Sequence, residues 1–334
     1  MFEQIVSLEN LLLAFREFRR GKQSKPDVQL FEFNLEDNLW QIHRELVSGL
    51  YINDPYSSFY IADPKLRHIH KASVRDRVVH QAIFRVLYSV FDLSFIHDSY
   101  SCRVDKGTHR AVLRLDHFLN QVSKNNTQPT YALKCDIKKF FDSIDQAILL
   151  KLIKNKIGDE RLFSLVNKII NSFSVGYGKG LPLGNVTSQL FSNIYLNELD
   201  QFVKHKLKIK YYLRYCDDFV IVNNNQKYLE NLISKLAKFL GEKLQITLHE
   251  RKIIIRKFNQ GVDFLGYVVL PHYRVLRTKT KRRVMRKLRR CIVEFKTGQK
   301  SVVSVEQSFQ SYLGILKHCR GYKISQQILE LGKW

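Results

Sequence analysis

Two adjacent carboxylates, Asp217 and Asp218, sit between runs rich in aromatic and β-branched residues, Tyr211-Tyr212-Leu213-Arg214-Tyr215-Cys216 and Phe219-Val220-Ile221-Val222. The pattern reads as strand, tight turn, strand. Asp is a good turn former, which accounts for one of the pair; a second beside it adds repulsion and no packing. Paired carboxylates on a rigid hairpin suit a divalent-metal site for phosphoryl transfer. A second acidic strand lies upstream: Tyr131–Ile137 delivers Asp136 at its exit, beside Lys138 and Lys139, which suit a site near phosphates. If the two strands are neighbours in one sheet, Asp136, Asp217 and Asp218 can hold two divalent ions about 4 Å apart.

The elements that must position these residues follow from periodicity. Leu8, Leu11, Leu12, Phe15 and Phe18 mark a helix that ends at the polar break 20–26, and Leu39, Ile42, Leu46 and Leu50 mark a second over 35–50. An extended piece ends at Phe59–Pro64, and Lys65–His70 alternates basic with apolar residues, placing Lys65, Arg67 and His68 within reach of solvent or a ligand. A helix runs from about Arg75 to Asp92. Residues 99–103 and 106–109 read as a basic loop suited to phosphate contacts. Ser143 with Gln146 predicts a capping box opening a helix directly after Asp136. Leu162, Leu165, Val166, Ile169 and Phe173 mark a core helix, and Leu229–Leu240 an amphipathic one.

The glycine-dense stretch 176–184 leads into Asn185-Val186-Thr187-Ser188-Gln189 and a further helix. Its glycines allow close backbone approach to a ligand, but the Gly-Lys-Ser/Thr ending of a P-loop is absent. Strands are predicted over 244–248, 252–255 and 262–270. The alternation of strands and helices suggests a mixed sheet with helices on one side. From Arg277 to Lys300 the chain carries eleven Lys/Arg and the single acid Glu294, around an apolar stripe of Val284, Leu288, Ile292 and Phe295. Such a helix lies along a phosphate backbone.

Whole-chain numbers bound the function. A length of 334 residues, 45% hydrophobic and 12% aromatic, describes a folded chain with a large core. Its 55 Lys+Arg against 31 Asp+Glu, formally +24, call for a polyanionic partner. No apolar run is long enough to cross a bilayer and Met1-Phe2-Glu3-Gln4 lacks signal-peptide shape, so nucleic acid is expected rather than membrane. Five cysteines without Cys-x-x-Cys spacing speak against a disulfide framework or zinc knuckle and for a reducing cytoplasm.

Taken together, the residues resemble the reverse transcriptases. Tyr215-Cys216-Asp217-Asp218 matches their Tyr-x-Asp-Asp box, Asp136 through Phe141 their Asp-x-x-x-x-Phe/Tyr box, Leu181-Pro182-Leu183-Gly184 their Pro-x-Gly box, and Phe264-Leu265-Gly266-Tyr267 their primer grip. The boxes occur in family order across about 60–270. The resemblance implies an α+β right-hand polymerase of fingers, palm and thumb, with an antiparallel-sheet palm carrying the aspartates and a helical thumb. It divides the chain into a helical extension (1–50), fingers and palm (51–270) and a basic helical thumb (271–334). Asp136 and Asp217 become the principal metal ligands, with the Ile137 carbonyl and, less directly, Asp218. Phe141 becomes the gate against a ribose 2′-hydroxyl; Lys65, Arg67, Leu183, Gly184 and Lys252 contact the incoming nucleotide; Leu265, Gly266 and Tyr267 grip the primer. The expected cofactor is two Mg²⁺ ions, with Mn²⁺ able to substitute.

One departure refines the resemblance. Most of the family has Gln before this Gly and Ser-Pro further on, where this chain has Leu183 and Ser188-Gln189. The sequence Leu183-Gly184-Asn185-Val186-Thr187-Ser188-Gln189 is similar to reverse transcriptases of diversity-generating retroelements. That likeness implies copying of a template repeat RNA into cDNA from a DNA or RNA primer with dNTPs, errors at template adenines, and a basic pentameric accessory protein as partner. A retron or group II intron-like enzyme is the alternative within the class, and an inert nucleic-acid-binding scaffold the alternative outside it.

Overall fold

The computed structural model describes residues 1–62 and 65–332. Among the described residues, nine strands form three antiparallel sheets. A hairpin pairs β1 (Ser57–Ile61) with β2 (Arg67–Lys71). The central sheet comprises β3 (Tyr131–Asp136), β4 (Tyr212–Tyr215), β5 (Asp218–Asn223) and β6 (Ile254–Lys257), in the order β4-β5-β3-β6. The third sheet runs β7 (Val262–Phe264), β8 (Tyr267–Val269), β9 (Arg274–Leu276).

The central sheet corrects the expected mixed, one-sided arrangement. Every pairing in it is antiparallel, because β4 and β5 join as a hairpin and β3 inserts beside β5. Leu133, Cys135, Phe219 and Ile221 face one core, shared with the helices Val74–Asp92 and Val186–Gln201. Ala132, Val220 and Val222 face a second, shared with the helix Thr108–Val122 and the C-terminal helices. Burying a Val, Leu or Phe side chain is worth about 1.5–3 kcal/mol, so an apolar run such as Phe219–Val222 requires cover on both sides. Thr108–Val122 supplies it on one side, taking Thr108 and His109 from the expected basic loop into a helix that was not foreseen. Ala111, Val112, Leu115, Phe118 and Leu119 form its buried stripe.

Other local expectations also change. The helix after Asp136 does not open on a Ser143–Gln146 capping box. A short helix, Phe140–Ser143, comes first, and Asp145 caps the following Gln146–Lys154 by accepting from the Ile148 N–H. The Gln146 amide instead donates to the carbonyls of Ile170, Phe173 and Gly180. The predicted strand 244–248 gives way to the helix Gln226–Leu244, extended by Leu236, Leu240 and Leu244 at i, i+4 spacing. Leu248 keeps a lone bridge to Ile137. The predicted strand 262–270 is the β7–β8 hairpin, since Leu265 and Gly266 both adopt positive φ, as a two-residue turn requires. Residues 252–255 split between a 3-10 turn, Glu250–Lys252, and β6. The helix Pro26–Phe33 was not foreseen.

At the N-terminus, Phe2–Val6, Leu8–Arg19, Pro26–Phe33 and Leu35–Val47 pack into the same core as Val74–Asp92. At the other end, the basic helix Thr278–Lys296 buries Val284, Leu288 and Cys291 against Val302–Leu316 and Tyr322–Leu331. No described helix is long and apolar enough to cross a membrane.

A buried polar contact ties the Asn185–Gln189 segment to the core. His80, 1% exposed, lies with Nδ1 2.6 Å from Thr187 Oγ1. Burial depresses the His80 pKa to about 4 from the usual 6.5. Unfolded, this imidazole takes a proton below about pH 6.5; folded, it resists until about pH 4, so its contribution to stability is complete above 6.5 and lost on acidification to 4. Urea unfolding at pH 7 and pH 4.5 is expected to show the wild type losing about 2–3 kcal/mol more than His80→Asn across that interval.

Candidate active site

Asp136 and Asp218 lie directly opposite each other in the β3–β5 register. The turn Cys216-Asp217 sets the third carboxylate beside them, and the Ile137 N–H donates to the Asp217 carbonyl at 3.3 Å. On the other side of the exit, the His249 N–H donates to the Asp136 carbonyl (2.8 Å) and the Lys138 N–H to that of Thr247 (2.9 Å). The end of β3 is thus held from both flanks, and Ile137 is buried.

Cys216 adopts the left-handed backbone region (φ 54°), an uncommon state for a residue with a Cβ. Beneath it Arg214, fully buried, donates from Nη1 to the Cys216 carbonyl at 3.1 Å. Its Nε and Nη2 form a bidentate pair with Asp200 at 2.8 and 2.7 Å. Ser99 and Asn193 accept its remaining protons, and the Tyr212 hydroxyl donates to Asp200. Burial works against the guanidinium charge, but the Asp200 carboxylate outweighs it and raises the Arg214 pKa. Sequence reasoning missed this network, although a Lys/Arg inside an apolar strand signals a buried partner.

The three carboxylates strain one another. Burial, then the charge of Asp136, raises the Asp217 pKa. Burial lifts that of Asp218 to about 6, against the lowering pull of Lys134. Two ammonium groups relieve part of this: Lys252 Nζ lies 2.6 Å from Asp136 Oδ1, and Lys134 Nζ 3.2 Å from Asp218 Oδ2. Lys134 also donates to the Asp263 carbonyl at 3.4 Å, tying Asp218 to β7. Asp218 Oδ1 is buried without a hydrogen-bond partner. Crowded carboxylates and an orphaned oxygen fit a hard divalent cation. Among the described residues, no three His, Cys or acidic side chains are already closed into a ligand cluster; the lysines hold the places of positive charge.

The remaining predicted residues distribute around this corner. Phe141 is half-buried in an edge contact with Phe140 (5.6 Å), and its carbonyl accepts from the Leu181 N–H. Leu183 is half-buried, and its carbonyl accepts from the His70 N–H at 3.1 Å, joining the β1–β2 hairpin to the site. Gly184 has φ 128°, a backbone region that side-chain-bearing residues rarely adopt, and a Cβ there would touch the His70 carbonyl at 3.4 Å. Ser188 is buried and Gln189 exposed. Lys65 and Arg67 are exposed on the hairpin; Asp63 and Pro64 lie outside the described residues. Leu265, Gly266 and Tyr267 line a cleft of 350 Å³ with Thr108, His109 and Arg283. Tyr267 is anchored by donating to the Ile315 carbonyl. Cutting a fully buried ion pair leaves a bare charge, so Arg214→Met is expected to lower the unfolding free energy by about 3–5 kcal/mol in urea titrations.

Comparison with known proteins agrees with this geometry. Residues 62–269 match the family described as reverse transcriptase (RNA-dependent DNA polymerase). The chain is 26% identical to protein YkfC of Escherichia coli strain K12 over 278 residues, covering 71% of this chain and 72% of that protein. It is also 26% identical to the group II intron-encoded protein LtrA of Lactococcus lactis subsp. cremoris, over 74% of this chain; it spans about half, 51%, of that relative's length. In fold it resembles the apo telomerase of Candida tropicalis truncated from its C-terminal domain, with TM-score 0.51 and 15% identity over 70% of this chain and 59% of that one. The family match covers well over half of the chain and runs through Asp136 and the Asp217–Asp218 hairpin, and the chain belongs to the reverse transcriptases, the RNA-dependent DNA polymerases.

Proposed function

We propose that Asp136, Asp217 and Asp218 form the nucleotidyl-transfer centre of this RNA-directed DNA polymerase. The observation that carries the reading is the register that sets Asp136 opposite Asp218, with Asp217 at the adjoining turn. Asp136, Asp217 and the Ile137 carbonyl would hold two Mg²⁺ ions, with Asp218 contributing less directly. Bound there, they supply a lowered pKa for a primer 3′-hydroxyl and countercharge for the leaving pyrophosphate. The chain's own part is position and charge. Lys252, now against Asp136, is within reach of nucleotide phosphates once that carboxylate is otherwise neutralised. Lys65 and Arg67 hold the triphosphate, Leu183 and Gly184 border the nascent base pair, and Phe141 excludes a 2′-hydroxyl. Leu265, Gly266 and Tyr267 steady the primer, and the helix Thr278–Lys296 lies along the duplex phosphates. On this assignment, residues 1–50 extend the fingers and palm, and 271–334 act as thumb.

The finer reading is a diversity-generating enzyme that copies a template repeat RNA and errs at template adenines, assisted by a basic pentameric accessory protein. Its support is Leu183 with Ser188-Gln189; an aliphatic side chain replaces a polar contact beside the nascent pair, which loosens discrimination. A group II intron-like enzyme is the second reading, favoured by the intron-encoded relative. The aspartates and Phe141 speak against an inert scaffold.

Three outcomes test these assignments. Asp217→Asn is expected to cut primer extension on RNA with dNTPs and Mg²⁺ by about 1,000-fold or more while template–primer affinity persists. Phe141→Val is expected to raise ribonucleotide incorporation by about tenfold or more in single-nucleotide assays, since the steric bar is removed. Leu183→Gln is expected to lower misincorporation opposite template adenine, read by sequencing the product; an unchanged error spectrum favours the intron-like reading.

A further inference from the structure

Two consecutive residues in the first turn of the helix Thr108–Val122 reach tyrosines on two different hairpins. The Thr108 hydroxyl donates to the Tyr215 hydroxyl at 3.3 Å, beside the aspartate turn. His109 Nδ1 lies 3.2 Å from the hydroxyl of Tyr267, on β8. The turn is itself pinned to the strand that leads into the aspartates. The Tyr100 N–H donates to the Arg214 carbonyl and the Gly107 N–H to the Tyr100 carbonyl, each at 2.9 Å.

Proton counting assigns the direction of the histidine contact. A tyrosine hydroxyl has one proton to give, and Tyr267 gives it to the Ile315 carbonyl at 3.0 Å. Burial pushes the Tyr267 pKa up to about 12, so the hydroxyl keeps that proton at neutral pH. His109 must then donate from Nδ1. Burial, and after it the neighbouring His318, holds the His109 pKa below its usual value. The cleft beside the ring is lined by Arg277 and Arg283 and, among the described residues, by no carboxylate. The imidazole therefore stays neutral, in a single tautomer. His318, in the turn after Val302–Leu316, stacks flat on it at 3.7 Å and 14° and fixes its plane.

A buried tyrosine hydroxyl finds a partner in most folds, and the Ile315 carbonyl alone meets that need for Tyr267, which is 2% exposed. The second bond, from His109, is surplus to it. Its immediate neighbour Thr108 makes the matching contact to the aspartate hairpin. We propose that His109 is a positioning residue for the primer strand: its Nδ1–H sets the Tyr267 hydroxyl, and with Thr108 on Tyr215 it fixes the spacing between the β7–β8 turn and the aspartates. This inference rests on the polymerase reading, in which Leu265, Gly266 and Tyr267 steady the primer.

The full chain is labelled with ¹⁵N-histidine and read by NMR at neutral pH, the His109 signals being those missing from His109→Phe. The Nδ1–H tautomer is expected, and the Nε2–H tautomer overturns the proposal. Single-turnover extension of an RNA–DNA primer–template then reads the consequence. His109→Phe keeps the stack and removes the donor; the rate at saturating dNTP is expected to fall about three- to tenfold, with the KM for dNTP and the Kd for primer–template within about twofold. His109→Asn returns an N–H near the Nδ1 position and is expected to recover the rate to within about twofold of wild type. In a Tyr267→Phe background, His109→Phe is expected to cost nothing further. No loss in His109→Phe, no recovery in His109→Asn, losses that multiply in the double variant, or a loss confined to KM or Kd overturns the assignment. Failure of the polymerase reading is distinct: the wild type extends no primer.

Discussion

Gathering three like charges at one corner of a sheet is the constraint on which the rest of the structure depends. Left alone, Asp136, Asp217 and Asp218 would repel one another, and burial together with that repulsion raises the pKa values of Asp217 and Asp218. The chain holds them together with backbone bonds across the Ile137–Asp217 junction and with the Arg214–Asp200 pair beneath the turn. It also brings in the Lys252 and Lys134 ammoniums. On the proposed function, cations recruited by substrate replace those ammoniums, and a corner that is unfavourable alone becomes a receptor for metal and nucleotide together.

The same constraint explains the two-sided core. A hairpin carrying adjacent aspartates needs rigid support, and β5 obtains it by burying Phe219 and Ile221 on one face and Val220 and Val222 on the other. The helices Val74–Asp92 and Thr108–Val122 lie on opposite sides of this strand, so both cores meet at the aspartate corner. Through His70 and Leu183 the β1–β2 hairpin joins one side; through Lys134 and Asp263 the β7–β8 turn joins the other.

Much of this was legible in the residues. Strand–turn–strand around Asp217-Asp218 and the strand ending at Asp136 follow from alternation and turn chemistry, and their order along the chain carried the family likeness. Long amphipathic helices such as Gln226–Leu244 and Thr278–Lys296 were equally plain. What escaped were features set by distant partners. Ser143 and Gln146 satisfy a local capping pattern, yet Gln146 is claimed by carbonyls 24–34 residues away. The stripe of Thr108–Val122 was masked by the basic residues around it, and the single run 262–270 folds back because Leu265 and Gly266 turn it. Arg214 reads as one more cation until its partner Asp200 is seen beside it.

The most direct measurement counts metal ions at the aspartates. The protein is bound to an RNA–DNA primer–template with a dideoxy-terminated primer and a matched dNTP, and Mn²⁺ is titrated by electron paramagnetic resonance. The account expects two saturable Mn²⁺ ions per chain, both lost in Asp136→Asn/Asp217→Asn although template–primer and dNTP remain bound. Equal Mn²⁺ binding by the variant and the wild type would contradict it.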